Sequence, residues 1–326
     1  MKNKARSSQL IMSDDGTLYH IHLKKSDKVP PNILIMGADS RVDEVASHFD
    51  GINFRHRNPK RSEFYTIAGT YKGVPVAAMS IGIGLDNMET AINELHALFE
   101  YDHETNMWLP ETVSWPENKP KVNIVRVGTC GTSLPEIPAG ALAISKYAIG
   151  LDNLGAYYPL PPTRTYSFTG PLARIEKKFL KTVVGKVNPI TYCSLASPNA
   201  VYALLESVET LGENRNIVCG ITTASPGFFG PEGRQIGRIS TAFGPEEFRQ
   251  IIQSFDVDGH RIVNHEMETS ILFRLGYEQL GYNVGAICLV VDNLATDEVM
   301  AGDEAKERMN ICIRVALESL VQLSQN

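Results

Sequence analysis

The sequence predicts an α/β protein whose largely parallel sheet is covered on both faces. Two observations lead there: runs that are apolar at nearly every position alternate with amphipathic ones, and glycine-containing turns end several of the apolar runs. Strands apolar on both sides and separated by helices belong to a parallel sheet sandwiched by those helices. "NILIMG" (Asn32–Gly37) is the first such strand, followed by the amphipathic "DSRVDEVASHF". "VPVAAMSIGIG" (Val74–Gly84) leads into "DNMETAINELHALFEY", whose opening Asp86 and Asn87 suit a helix N-cap. "VNIVRVG", "GALAISKYAIG", "NIVCGITTAS" and "VGAICLVV" supply further strands. "DEAKERMNICIRVALESLVQL" closes the chain with apolar residues at helical spacing.

The bulk numbers exclude several classes. The chain has 326 residues, 43% hydrophobic and 21% charged, with a net charge of −6 and a pI near 5.8. An acidic protein lacks the basic footprint of a nucleic-acid surface. No window has the ~18 apolar residues of a membrane span, and the N-terminus has no signal-peptide core. The five cysteines are scattered and never spaced C-x-x-C, as in a reduced cytoplasmic protein with no metal site. With no repeat and no Gly/Ser linker, residues 1–326 are expected to form one domain. Two long segments look inserted, near 101–120, with both tryptophans, and near 151–171, rich in Tyr and Pro.

Four stretches carry chemistry. In open α/β sheets ligands sit beyond the carboxyl ends of strands, where turn N–H groups cradle anions. Arg41 follows Gly37 at the first such turn, and Arg126 lies just before the Gly128-Thr129 turn. Two guanidinium groups at matching places suit a phosphate; a lone arginine would more often pair with a carboxylate. Gly82-Ile83-Gly84 falls short of a dinucleotide fingerprint because Asn87 takes the third glycine's place, which disfavours a Rossmann dehydrogenase. "VNHEMETSIL" has Thr269 where a zinc helix needs its second histidine. It leaves Glu266 and Glu268 at the start of an apolar helix, as dipole complements or as a carboxylate for a ribose diol. "FFGPEGR" offers an aromatic face with Glu232 and Arg234, for a heterocycle edge or a surface ion pair. Asp292 ends the strand "ICLVVD", as a helix cap or a proton donor.

Together these residues resemble the nucleoside phosphorylase-I family, which holds uridine phosphorylases, hexameric purine nucleoside phosphorylases and related nucleosidases. The likeness runs from about Leu18 to the last helix. "LYHIHL" resembles the segment whose histidine, here His20, reaches a neighbouring subunit's ribose. "MGADSR" is similar to the phosphate loop G-D-P-x-R and implies Gly37 and Arg41, with Ala38 and Asp39 replacing its Asp and Pro. "PKRSEFYTIAG" resembles the segment that sends an arginine, here Arg61, across a dimer interface. "IVRVGTCG" matches R-[IV]-G-[ST]-x-G, implying Arg126 and Thr129 for phosphate and Gly131 for the base pocket. "HEMET" is similar to the uridine enzymes' E-M-E-S, implying Met267 and Glu268 for ribose. After the aromatic pair, with Phe228 as base-stacking candidate, Pro231 and Glu232 replace the Gly and Gln of G-Q-x-R, while Arg234 is kept. "FFGPEG" also resembles the purine enzymes' F-Y-x-P-D-G, and Asp292 falls where those enzymes place their catalytic aspartate.

The resemblance implies a single-domain nucleoside phosphorylase-like fold, with a central mixed, largely parallel twisted sheet flanked by helices. It implies phosphorolysis of uridine to uracil and ribose 1-phosphate, with inorganic phosphate as co-substrate and no further cofactor. Glu232, Arg234 and Asp292 are the catalytic candidates at the base. If His20 and Arg61 serve a neighbour's site, a homodimer is the minimal active unit. The alternatives are a purine nucleoside phosphorylase, a nucleosidase using water, and a non-catalytic nucleoside-binding protein.

Overall fold

The computed structural model describes residues 8–109, 121–160, 170–183, 191–213 and 216–325. Strand β1 (Asn32–Met36) leads into helix α1 (Asp39–Ala46). β2 (Gly51–Arg57), β3 (Phe64–Tyr71) and β4 (Val74–Ile81) follow, then α2 (Leu85–Glu100). A short hairpin, β5 (Tyr101–Asp102) and β6 (Met107–Trp108), precedes β7 (Asn123–Thr132) and β8 (Leu142–Gly150). α3 (Pro171–Val183), β9 (Tyr192–Leu195), α4 (Pro198–Thr210), β10 (Ile217–Ala224) and α5 (Pro245–Ser254) come next. The chain closes with β11 (Asp256–Val257), β12 (His260–Glu266), α6 (Thr269–Leu272), β13 (Asn283–Asn293), β14 (Glu298–Val299) and α7 (Gly302–Gln325).

All strands but β5 and β6 join one sheet of order β11-β12-β10-β8-β13-β7-β1-β4-β3-β2, with β9 on β8 and β14 on β13. The interior pairs β4–β1, β1–β7, β7–β13, β8–β10 and β10–β12 are parallel. The β8–β13 junction and the outer β2–β3–β4 meander are antiparallel. Alternation along β1 shows both faces covered: Ile33 and Ile35 pack with α2 and α6, while Leu34 and Met36 pack with α1, α4 and α7. The expected mixed α/β sheet between helices is therefore present.

One contact decides where the site forms. β12 stands four places from β7 in the sheet order, yet His265 of β12 bridges Gly131 of β7. The sheet curls back on itself there, bringing the carboxyl ends of β7, β12 and β13 round one hollow.

Local structure departs from expectation at "VNHEMETSIL". Val263–Glu266 belong to strand β12, and the helix begins only at Thr269 with Glu268 as its N-cap. The run is apolar enough for either element, and pairing with β10 holds it extended. The first long insertion begins as the β5–β6 hairpin, and its residues 110–120 lie outside the described ones. The second contains a 3₁₀ turn at Leu154–Tyr157, and its residues 161–169 lie outside.

Candidate active site

The strand ends after β1, β7, β12 and β13 and the loop after β10 enclose a cavity of about 310 Å³. It is lined by Gly37, Arg41, Arg126, Thr129, Gly131, Phe228, Glu232, Arg234, Met267, Glu268 and Asp292. Residues proposed from five separate stretches of sequence thus share one hollow. His20 and Arg61 do not line it.

Arg126 is 5% exposed and is held by three groups. One Nη bonds Glu268 and lies 3.1 Å from Glu266 Oε2, while the other donates to Cys288 Sγ at 2.8 Å. Burial opposes its charge, but the carboxylates of Glu268 and Glu266 outweigh that and hold its pKa well above the ordinary arginine value. The guanidinium folds back over Gly128, where any Cβ would collide with it. That is the physical reason for glycine in R-V-G-T. Arg41, in the first turn of α1, is differently placed. Its Nε is buried with no hydrogen-bond partner among the described residues, and burial pulls its pKa down. A desolvated, unsatisfied guanidinium is costly unless an anion meets it. Asp39, the replacement in the phosphate loop, turns outward to Arg57 Nη1 at 2.7 Å, and that bond lowers its pKa.

Glu268 joins two elements: Oε1 accepts from Gly84 N–H at 2.7 Å, at the start of α2, and Oε2 meets Arg126. Glu266 is the dipole complement, accepting from the backbone N–H of Glu268 and Thr269 at 3.0 Å. Burial pushes its pKa up to about 7 despite Arg126. Cys130 and Cys288 adjoin the same cluster. Burial drives the Cys130 thiol well up, while a hydrogen bond from Cys130, more than Arg126, draws Cys288 down.

The second cluster sits on the loop after β10. Arg234 stacks over Phe228 with Cζ 4.2 Å from the ring centroid. Its Nη2 donates to Asp292 Oδ2 at 2.7 Å and its Nε to Glu232 Oε2 at 3.2 Å. Asp292 is therefore neither helix cap nor free carboxylate here. Asn293 beside it is structural, donating to the carbonyls of Leu134 and Ile137. Gly131 permits the close approach, because a Cβ there would stand 2.9 Å from Asp292 Oδ1 and collide with His265. His265 also lines the cavity, and sequence reasoning missed it. The available signal was three consecutive polar residues, Asn264-His265-Glu266, ending a buried strand.

His20 and Arg61 lie together on another surface. His20 Nδ1 is 2.7 Å from Glu94 Oε1 and its ring meets Tyr19 edge-on at 4.8 Å. Arg61 stands over the same Tyr19 at 5.7 Å, with Glu63 3.8 Å away. Among the described residues no group of three or more His, Cys, Asp or Glu side chains is placed to hold a metal ion, and no helix is long and apolar enough to cross a membrane.

The sequence pattern of the phosphorylase superfamily matches residues 32–323. The chain belongs to that superfamily. A solved nucleoside phosphorylase from Trypanosoma brucei, described as showing uridine phosphorylase activity, superimposes with a TM-score of 0.82 at 30% identity, covering 96% of this chain and 99% of that one. A uridine phosphorylase from Thermococcus kodakarensis is 28% identical over 301 residues, 91% of this chain and 85% of the relative. A DeoD-type purine nucleoside phosphorylase from Bacillus cytotoxicus is 21% identical over 93% of this chain and 98% of its own length. Superfamily membership makes a nucleoside and phosphate the substrates to place in the cavity.

Proposed function

We propose that this chain is a uridine phosphorylase, transferring the ribosyl group of uridine to inorganic phosphate with no further cofactor. The observation that carries the reading is a single cavity uniting Arg41, whose buried Nε has no partner among the described residues, the Arg126–Glu268 pair and the Phe228–Arg234–Glu232 cluster. The Trypanosoma and Thermococcus relatives support it.

Phosphate enters beside Arg41, near the Gly37 turn and the Thr129 hydroxyl, and competes with Glu268 for Arg126. Glu268, released, accepts the ribose hydroxyls. As the glycosidic bond lengthens, the sugar becomes oxocarbenium-like and the held dianion attacks C1′. The arginines supply orientation and electrostatic stabilisation. Arg234 donates to uracil O4 as negative charge develops on the base, while Glu232 accepts from N3–H. Met267 and Gly131 shape the walls beside sugar and base. The shared surface of His20, Tyr19 and Arg61 suits delivery of both side chains to a second copy's site, which makes a homodimer the working unit. Buried, unpaired thiols beside the site fit a cytoplasmic enzyme of nucleoside salvage.

The test is release of base from uridine and from inosine, with and without phosphate. Uracil release that requires phosphate and yields ribose 1-phosphate is the expected result. Preference for inosine would give the purine reading, in which Asp292 protonates the base. Release without phosphate would mean a nucleosidase, and binding without release a nucleoside-binding protein.

A further inference from the structure

His265 is 1% exposed and lines the cavity, yet neither ring nitrogen has a hydrogen-bond partner among the described residues. Its ring is fixed edge-on to Phe248, centroids 5.8 Å apart, and its Cε1–Nδ1 edge lies over Gly131. Nδ1 stands 3.4 Å from Glu232 Oε2, within ion-pair reach but not in hydrogen-bonding geometry. Glu232 is 2% exposed, and among the described residues the polar contacts of its carboxylate, Arg234 Nε and His265 Nδ1, fall on Oε2. An orphaned buried imidazole is costly. Hydrogen bonds in empty active sites are often long and tighten when substrate binds.

We propose that His265 is the positioning residue of the base pocket, its Nδ1–H fixing Glu232 Oε2 so that Oε1 presents an acceptor to the ring N–H of the base. The inference rests on the reading of Glu232 as the acceptor for uracil N3–H. It gives the site a selectivity: uracil offers an N–H at position 3, whereas cytosine offers a lone pair, which a fixed carboxylate repels. Arg234 alone would leave the carboxylate free to swing about one contact.

Three substitutions separate this role from packing. Asn at 265 places its amide nitrogen near Nδ1, Gln places it near Nε2, and Phe keeps only the ring. For uridine phosphorolysis, His265→Phe and His265→Gln should raise KM about tenfold, the size expected for one lost hydrogen bond to a charged group, with kcat little changed. Both should narrow the uridine-over-cytidine preference in kcat/KM. His265→Asn should stay within about threefold of the parent. In a Glu232→Ala background the His265 changes should have no further effect on KM, the coupling expected of residues acting as a unit. Uracil binding by calorimetry and thermal midpoints accompany each variant. Equal KM and equal cytidine discrimination in the Asn, Gln and Phe proteins would overturn the proposal while leaving uridine phosphorolysis intact. A parent protein that neither cleaves uridine nor binds uracil would overturn the underlying reading, and the role of His265 with it.

Discussion

The two arginine clusters of the cavity are built on different supports. Arg126 projects from the middle of a ten-residue strand in the sheet interior, and its partners are Cys288 in the middle of β13, Glu266 at the end of β12 and Glu268 at the N-cap of α6. Arg234 hangs on a loop, anchored through Asp292 at a strand end and stacked on the half-exposed Phe228. On the proposed function, the chemistry common to every phosphorolysis, holding a phosphate dianion beside a sugar, falls to the rigid support. Recognition of one particular base then falls to the loop, where residues change without disturbing the sheet. The purine-like and uridine-like features of this chain accordingly mix only in the second cluster and at Asp292.

Substitutions can break that contrast. Arg126→Leu should give the largest effect. It leaves Glu266 and Glu268 buried without their cation, lowering stability by about 3–5 kcal/mol, and should cut phosphorolysis by about a thousandfold or more. Full activity in that variant would mean that phosphate binds elsewhere. Gly128→Ala sharpens the point, since the added Cβ displaces the guanidinium without removing it. A loss of about a hundredfold in kcat is expected, the scale of an ångström misplacement, with the fold retained by circular dichroism.

Arg234→Met should lower kcat/KM for uridine about 10–100-fold, one charge-assisted hydrogen bond's worth, and leave the KM for phosphate unchanged. A rise in phosphate KM would show that the two clusters are not separate. Asp292→Asn discriminates between bases: uridine cleavage should change only a few-fold, whereas a purine enzyme would lose inosine cleavage.

The smallest effect concerns pH. Glu266 keeps its proton up to about pH 7 in the folded protein, against an ordinary glutamate value of 4.5. Between those values the native state binds more protons than the unfolded chain, so this group makes stability fall as pH rises from about 4.5 to 7 and then level off. Glu266→Gln keeps the acceptor for the α6 amides and should flatten the decline across that window. An unchanged slope in thermal midpoints would rule out this titration.

Much of the site was legible because it lies where strands end in glycine. Apolar runs gave β1, β4, β7, β8, β10 and β13, and the turns after β1, β4 and β10 carried the expected glycines; the expected Gly128-Thr129 turn is instead strand, because pairing with β13 keeps β7 extended to Thr132. Partners were not legible. Nothing near Arg126 in sequence announces Glu268, which is 142 residues away, or Cys288, which is 162 away. The segment Val263–Leu272 has no decisive period, and only pairing with β10 makes its first half a strand. His265 was weighed only as the first histidine of a zinc pattern that Thr269 breaks, and its place in the cavity comes from Gly131 and Glu232 beside it.

By itself the sequence determined the alternation of strands and helices, the glycine turns and the residue types able to meet an anion, a diol and a base edge. These are local properties, set by side-chain periodicity and backbone freedom. Tertiary structure alone decided which of those residues meet: the curl that brings β12 against β7 turns separate strand ends into one cavity. It also left the buried Arg41 Nε without a partner among the described residues while enclosing Arg126 between carboxylates, because desolvation and pairing depend on neighbours that the order of residues does not specify.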